Sequence, residues 1–309
     1  ITCRDWSSDV CSSDLWLATG QVQATEPDTL RLRFVSAIGE EGDQPGQFRQ
    51  PQAVSTDNKG NLYVADTGNH RVQKFDGQNR FVDMVGGFGW DQEQFQRPMD
   101  VCADNGLDVF VADYENRRIV RCDNQLHWIS TFTARAAADE RLQLGFPSSV
   151  SISIHADLYV VDSENGRVLK LNSLWQPELS FGNYDWGEGG LSEPASIYVA
   201  RDDRIYVSDR QAGRISLYDY FGTFLQHLGE GVLKRPAGLC VDTKGTIWVA
   251  DSERQQVLAF SRSGRLLLQW GSAGAKLGAL QNPADVAVHQ NRLYVADRDN
   301  HRIQLFEIE

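Results

Sequence analysis

The amino-acid sequence predicts an all-β chain: a six-bladed β-propeller of four-stranded antiparallel blades, its ring closed by an N-terminal strand that completes the last blade. Three observations predict it. One motif recurs six times at steps of 42 to 49 residues. A proline keeps phase with every copy. The sixth copy stops after its third strand, while a spare strand stands ahead of the first copy.

The motif is an aromatic-rich run that ends in aspartate and leads into a polar turn. Its copies are LYVADTGNHRVQKFD from Leu62, VFVADYENRRIVRCD from Val109, LYVVDSENGRVLKLN from Leu158, IYVSDRQAGRISLYD from Ile205, IWVADSERQQVLAFS from Ile247 and LYVADRDNHRIQLFE from Leu293. The aspartates are Asp66, Asp113, Asp162, Asp209, Asp251 and Asp297. A proline lies 15 residues earlier in five copies (Pro51, Pro98, Pro147, Pro194, Pro236) and 14 earlier in the sixth (Pro283). Self-similarity at this period marks a repeat architecture, and four short strands per repeat describe a propeller blade.

Each element of the repeat has a reason. Strand a follows the proline, which starts it where no N–H is needed. Strand b is the aromatic-rich run, nearly continuous in apolar character, as expected of a sheet covered on both faces. A turn of Gly, Asn, Asp and Ser follows, as hairpin chemistry requires. Strand c opens on a β-branched residue (Val72, Ile119, Val168, Ile215, Val257, Ile303), and strand d is the outer run, such as TFLQHLG or RLLLQWG. The spare strand is LRFVSAIG, Leu32 to Gly39; pairing it with the last copy leaves no gap in the ring.

These residues carry a resemblance. Leu62 to Asp76, preceded by GQFRQPQAV and NKGN, resembles an NHL repeat, and the resemblance extends over about Leu30 to Glu309. No Gly-His…Trp-Asp pairs recur, so the WD pattern does not fit. Two departures stand out. Gln256 replaces the arginine found five residues after the aspartate elsewhere (Arg71, Arg118, Arg167, Arg214, Arg302), and the third repeat has a longer d–a loop, Thr133 to Phe146.

The chain has 309 residues, 41% of them hydrophobic, and a formal net charge of −12, a balance that opposes a nucleic-acid backbone partner. No apolar run is long enough to span a bilayer. Residues 1–15, ITCRDWSSDVCSSDL, are unlike the rest: Asp5 to Leu15 back-translate into a common short-read sequencing adapter, so the segment reads as an artefact outside the fold. In 16–30, Val22 and Ala24 have the −3 and −1 spacing of a signal-peptidase site after Trp16-Leu17-Ala18, which predicts an exported, periplasmic or secreted protein of bacterial origin maturing at Thr25. The propeller then occupies 31–309. Cys102, Cys122 and Cys240 fall inside strands with no CxxC spacing and read as small buried hydrophobes.

Features present in every repeat mark architecture, so function is sought where the repeats differ. The aspartates read as partners of the following turn and of the arginine five residues on. The histidines show no close metal-pair spacing, and no GxSxG, P-loop or HExxH occurs. On the face shared by the d–a and b–c loops, the non-repeating residues are Trp90, Asp91, Tyr114, Tyr184, Asp185, Trp186 and Arg210. Rigid aromatics flanked by acids suit a protein, peptide or glycan partner. The expectation is therefore a monomeric, non-catalytic binding scaffold needing no cofactor. The alternative is a metal-dependent, lactonase-like hydrolase or lyase at the channel mouth. It would hold calcium or zinc with Asp100 and Asp285, helped by Ser149 and Ser196, all two residues after a repeat proline. RNA binding is a third reading, which the acidic balance opposes.

Overall fold

A computed structural model of the chain describes residues 30–133, 139–183 and 187–309. The adapter-like segment 1–15 and all but the last residue of the export-signal segment 16–30 lie outside the described residues. Among the described residues no helix is long and apolar enough to cross a membrane.

The described residues form six four-stranded antiparallel sheets. Strand β1 (Leu32–Ile38) comes first. Blade 1 follows as β2 (Ala53–Thr56), β3 (Leu62–Asp66), β4 (Arg71–Phe75) and β5 (Phe81–Gly86), and blade 2 as β6 (Pro98–Cys102), β7 (Asp108–Asp113), β8 (Arg118–Asp123) and β9 (Trp128–Phe132). Blade 3 comprises β10 (Pro147–Ile152), β11 (Leu158–Asp162), β12 (Arg167–Leu171) and β13 (Pro177–Phe181), and blade 4 comprises β14 (Pro194–Val199), β15 (Ile205–Asp209), β16 (Arg214–Tyr218) and β17 (Phe224–Leu228). Blade 5 is β18 (Pro236–Val241), β19 (Ile247–Asp251), β20 (Gln256–Phe260) and β21 (Leu266–Trp270); blade 6 is β22 (Pro283–His289), β23 (Arg292–Asp297) and β24 (Arg302–Ile308). Blade 6 takes β1 as its fourth strand, in register from Leu32 opposite Ile308 to Ile38 opposite Ile303.

The apolar run of strand b has a direct explanation in the packing. Successive side chains of a strand point to opposite faces, and here each face meets a different neighbouring blade. Leu62 and Val64 of β3 pack with Tyr294, Ala296 and Ile303 of blade 6, while Tyr63 and Ala65 pack with Val101, Val109 and Val111 of blade 2. The same division recurs at β11, where Leu158 and Val160 pack with Phe110 and Ala112 of blade 2, and Tyr159 and Val161 with Ile205 and Val207 of blade 4. Burying one such large side chain stabilises by about 1.5–3 kcal/mol. The closing strand joins this scheme: Leu32 and Phe34 pack on the cluster of Trp248, Leu293 and Phe306, and Ile38 on that of Phe48 and Tyr294.

The aspartate–arginine unit fixes the loop face. Asp66, Asp113, Asp162 and Asp297 are fully buried, and the arginine Nε five residues on lies 2.7, 2.7, 3.3 and 2.8 Å away. The carboxylate also accepts from the turn asparagine (Asn69, Asn116, Asn165, Asn300). The rest of the guanidinium reaches outward. Arg71 donates to the carbonyls of Asp43, Gln44 and Gln47; Arg118 to those of Trp90, Asp91 and Gln94; Arg302 to those of Ala275, Lys276 and Ala279. One ion pair thus ties the b–c turn to the loop entering the same blade.

Blades 4 and 5 depart from this pattern. Arg214 pairs with the exposed Glu230 at 2.8 Å instead of with Asp209, contrary to the sequence expectation. The turn there carries Ala212 where blades 1, 2, 3 and 6 carry asparagine, and Asp209 is satisfied by the N–H groups of Ser192, Glu193 and Ala212. In blade 5, with Gln256 in the arginine position, Asp251 accepts from the N–H groups of Lys234, Arg235 and Arg254.

Two stability outcomes follow. Deleting 30–39 removes the fourth strand of blade 6 and should lower the thermal midpoint by about 10 °C or more, since several kcal/mol are lost in a domain of this size; an unchanged midpoint would refute strand closure. Arg118→Met leaves Asp113 charged and uncompensated and should cost about 3–5 kcal/mol in denaturant unfolding. Arg214→Met breaks only a surface pair and should cost about 1 kcal/mol or less.

Candidate functional site at the channel mouth

The innermost strands leave a central channel made of two recesses. The recess on the loop face, about 280 Å³, is lined by residues before and after the repeat prolines and by the first residue of several b–c turns, including Arg97, Tyr114, Ser163, Glu193 and Arg210. The recess on the opposite face, about 770 Å³, is lined by the a–b turns and includes Asp104, Tyr198, Arg201 and His289. Asp100, Ser196 and Asp285 border both recesses. Ser149 lines the loop-face recess beside them.

These channel residues have a structural task. An innermost strand presents unpaired N–H groups at its edge, which must find acceptors. The next blade receives them from side chains. Asp100 of blade 2 accepts from Val150 N of blade 3 at 2.8 Å, Ser149 of blade 3 from Ile197 N of blade 4 at 3.0 Å, and Asp285 of blade 6 from Val54 N of blade 1 at 2.9 Å. Ser149 Oγ in turn donates to Asp100 at 2.6 Å. A second tier lies two residues further along: Ser55 Oγ accepts from Ala103 N and Ser151 Oγ from Val199 N, both at 3.0 Å. Cys102 and Cys240 fill the same tier, their sulfurs facing the N–H groups of Ile152 and Val288. Among the described residues Cys102, Cys122 and Cys240 are buried and free, as expected of small core residues. Two of them line the channel, and burial holds all three thiols above their ordinary pKa.

Enclosure dominates the electrostatics of this ring. It pushes both Asp100 and Asp285 well above the usual carboxylate range; repulsion from Asp104 raises Asp100 further, and repulsion from Asp100 and Asp104 raises Asp285. Asp104, which lines the wider recess, is pushed up to about 6 by burial, with the Ser55 hydroxyl and Arg201 opposing the shift. The donor set is thin for calcium, which takes six to eight oxygens. Asp100 and Asp285 stand on blades 2 and 6 with Ala53 of blade 1 between them, and each carboxylate already accepts backbone N–H groups. Among the described residues no group of three or more histidines, cysteines or carboxylates is placed to share a metal.

The aromatic candidates divide. Tyr184, Asp185 and Trp186 lie outside the described residues. Tyr114 is half-buried, stacked on Phe146 with ring centroids 4.9 Å apart, and the guanidinium groups of Arg97 and Arg117 cover the two rings at 5.1 and 4.0 Å. Trp90 is 71% exposed and Asp91 is exposed beside it. Phe88, which sequence reasoning missed, is 63% exposed and touches His70 edge-on.

Comparison of equivalent loops isolates this pair. The loops entering blades 1, 2 and 6 share a parallel bridge (Glu41 with Phe48, Phe88 with Phe95, Ala273 with Leu280) and the same arginine clamp on the carbonyls of Asp43, Trp90 and Ala275. Only the loop of blade 2 places aromatics at these positions: Phe88 stands where the others have Glu41 and Ala273, and Trp90 where they have Asp43 and Ala275. Register comparison among the loops is the signal that finds Phe88. Arg210, the remaining candidate, opens the b–c turn of blade 4 and lines the loop-face recess.

Known proteins match this architecture. Residues 48–75, 95–122, 233–260 and 280–306 match the NHL repeat family model. A 50-residue stretch is 40% identical to the B-box type zinc finger protein ncl-1 of Caenorhabditis elegans; it covers 16% of this chain and 6% of that protein. Among solved structures, a Bacteroides thetaiotaomicron VPI-5482 protein of unknown function aligns with TM-score 0.71 at 15% identity, over 91% of this chain and 76% of that one. Streptogramin B lyase aligns with TM-score 0.62 at 11% identity, over 91% and 98%. A gluconolactonase of Xanthomonas campestris aligns with TM-score 0.65 at 14% identity, over 90% and 99%. At these identities the likeness is one of fold.

The buried acids give a pH signature. An acid whose native pKa is raised binds its proton more tightly when folded. Its cost is absent below the unfolded value near 3.8 and fully present above the native value, so stability through Asp100 and Asp285 falls as pH rises from about 4. Asp285→Asn keeps an acceptor for Val54 N–H and removes the charge. The variant should gain on the original protein as pH rises from 4 to 8, by up to about 1.4 kcal/mol for each pKa unit abolished. Parallel pH–stability curves would contradict this.

Proposed function

The chain is a six-bladed NHL-repeat propeller, and we propose that it serves as a non-catalytic scaffold binding peptide segments of partner proteins on its loop face. The observation that carries the reading is the exposed pair Phe88 and Trp90 on a backbone shared with two sister loops that lack them. Large rings held on a locked backbone are preorganised anchors, which lose little freedom on binding. Gly86 supports the geometry: at φ +128°, a Cβ there would lie 2.6 Å from the Arg71 Cα and the His70 carbonyl.

The commitment of Asp100 and Asp285 to bridging neighbouring blades favours this reading over metal-dependent hydrolysis or lysis in the channel. The likeness to a lyase and a gluconolactonase carries no catalytic residue to this chain. An exported location follows from the leader-like spacing of Val22 and Ala24 and belongs to the same proposal.

The test uses the sister loops as controls. Peptides selected from a displayed random library on the full chain are titrated against Phe88→Glu combined with Trp90→Asp, the residues of the blade 1 loop. Affinity should fall by about 30-fold or more, as expected for losing a hot spot of 2 kcal/mol or more, with the thermal midpoint nearly unchanged. Undiminished binding would refute the site. Selection of glycans and not peptides would keep the face and change the ligand class.

A further inference from the structure

Four arginines gather on the loop face around the channel. The residue after the strand b aspartate is Arg210 in blade 4 and Arg298 in blade 6, and the residue before the repeat proline is Arg97 in blade 2 and Arg235 at the entry of blade 5. Arg97 pairs with Glu115 at 3.2 Å and Arg235 with Glu193 at 2.9 Å. Arg210 and Arg298 have no such partner: among the described residues no hydrogen bond or ion pair reaches either guanidinium.

Both are half-buried, and the Nε of Arg298 is buried with no acceptor at all. An unsatisfied buried donor is costly and calls for a partner. The two cations are close enough to repel: burial first, then Arg235 and Arg298, lower the pKa of Arg210, against the attraction of Glu193. Arg210 lines the recess of about 280 Å³, and Arg298 stands at the same register position in blade 6, near enough to repel it; two such cations are an anion site awaiting its anion.

We propose that this mouth is a carboxylate-binding site in which Arg210 and Arg298 take the C-terminal carboxylate of a bound peptide. The proposal deepens the peptide-binding reading and rests on it for the identity of the ligand. A carboxylate suits the recess better than a polyanionic backbone does. The recess is small and is lined by Asp100 and Asp285, whose carboxylates oppose a string of phosphates. A single carboxylate needs no more than the two guanidiniums. Arginine also presents paired N–H groups that match a carboxylate edge.

The Tyr220–Asp157–Lys170 cluster on the opposite face is a weaker candidate. Lys170 lies 3.3 Å from Asp157 and 3.9 Å from the centre of the Tyr220 ring, but in blade 1 Lys74 and Tyr63 reach Asn124 at the equivalent position, which marks the cluster as a lock between blades.

The experiment follows the arginine side-chain Nε–H resonances of the full chain by NMR. The Arg210 and Arg298 signals are assigned from their absence in Arg210→Gln and Arg298→Gln. Acetylglycine should shift both signals saturably, and acetylglycinamide should not. Either glutamine variant should weaken acetylglycine binding at least tenfold, read from the remaining signal. No saturable shift, or an equal response to the amide, overturns the proposal. Inorganic phosphate binding tenfold more tightly than acetylglycine overturns the carboxylate assignment in favour of a phosphate ligand. If a glutamine variant fails to fold, the comparison of acid with amide on the original protein decides alone. The readout needs no selected peptide, so it can fail while capture by Phe88 and Trp90 succeeds, and the reverse.

Discussion

The buried pairing of a strand b aspartate with an arginine five residues later is the interaction on which the loop face depends. Each carboxylate sits at the end of a fully buried strand, where an isolated charge would be prohibitively costly. The arginine offsets that charge and then spends its remaining donors on carbonyls of the entering loop. A short-range ion pair therefore sets long-range geometry: the loop can vary in sequence while its backbone stays fixed. This is why Trp90 in one loop and Asp43 or Ala275 in others rest on the same clamp. The arrangement separates the residues that build the ring from those free to acquire a function.

The channel obeys a second constraint. Six inner strands point their edges at one another without forming a sheet, so the edge N–H groups need side-chain acceptors. Asp100, Ser149 and Asp285 meet the need in one tier, and Ser55, Cys102, Ser151 and Cys240 in the next. Polar residues along a propeller axis invite a catalytic reading, but here their first partner is the adjacent blade. Enclosure raises the pKa of the carboxylates Asp100 and Asp285, which opposes their ionisation beneath the arginines of the mouth.

Sequence periodicity carried nearly all of the fold. The aspartate, proline and strand b markers located every blade, and the spare strand at Leu32 found its partner in β24, because repetition amplifies weak local signals six times. The site was less legible. Trp90 and Arg210 were identified as departures from the repeat, whereas Phe88 and Arg298 were not, although Arg298 occupies the register position of Arg210. The pairing of Arg214 with Glu230 could not be read from the motif, since the competing carboxylate comes from the outer loop of the blade. The use of Ser149 and the channel aspartates as acceptors depends on which residues face each other across blades, and spacing within one repeat does not encode that.

Among the described strands β1 is made first and its partner β24 last, with Arg33 and Glu309 separated by 276 residues. At a translation rate of roughly 5–20 residues per second, the ribosome takes on the order of 14–55 s to supply the partner. During that interval an apolar strand carrying Leu32, Phe34 and Ile38 has no place in a sheet, and the growing arc of blades ends in an open flank. Synthesis of this protein therefore passes through a long-lived species with two complementary sticky ends, one on the emerging arc and one on its own leading segment. Two such chains on one polysome could exchange their first strands. The safeguard visible in the sequence is the charge on that strand, Arg33, whose glutamate partners Glu307 and Glu309 arrive 274 and 276 residues later.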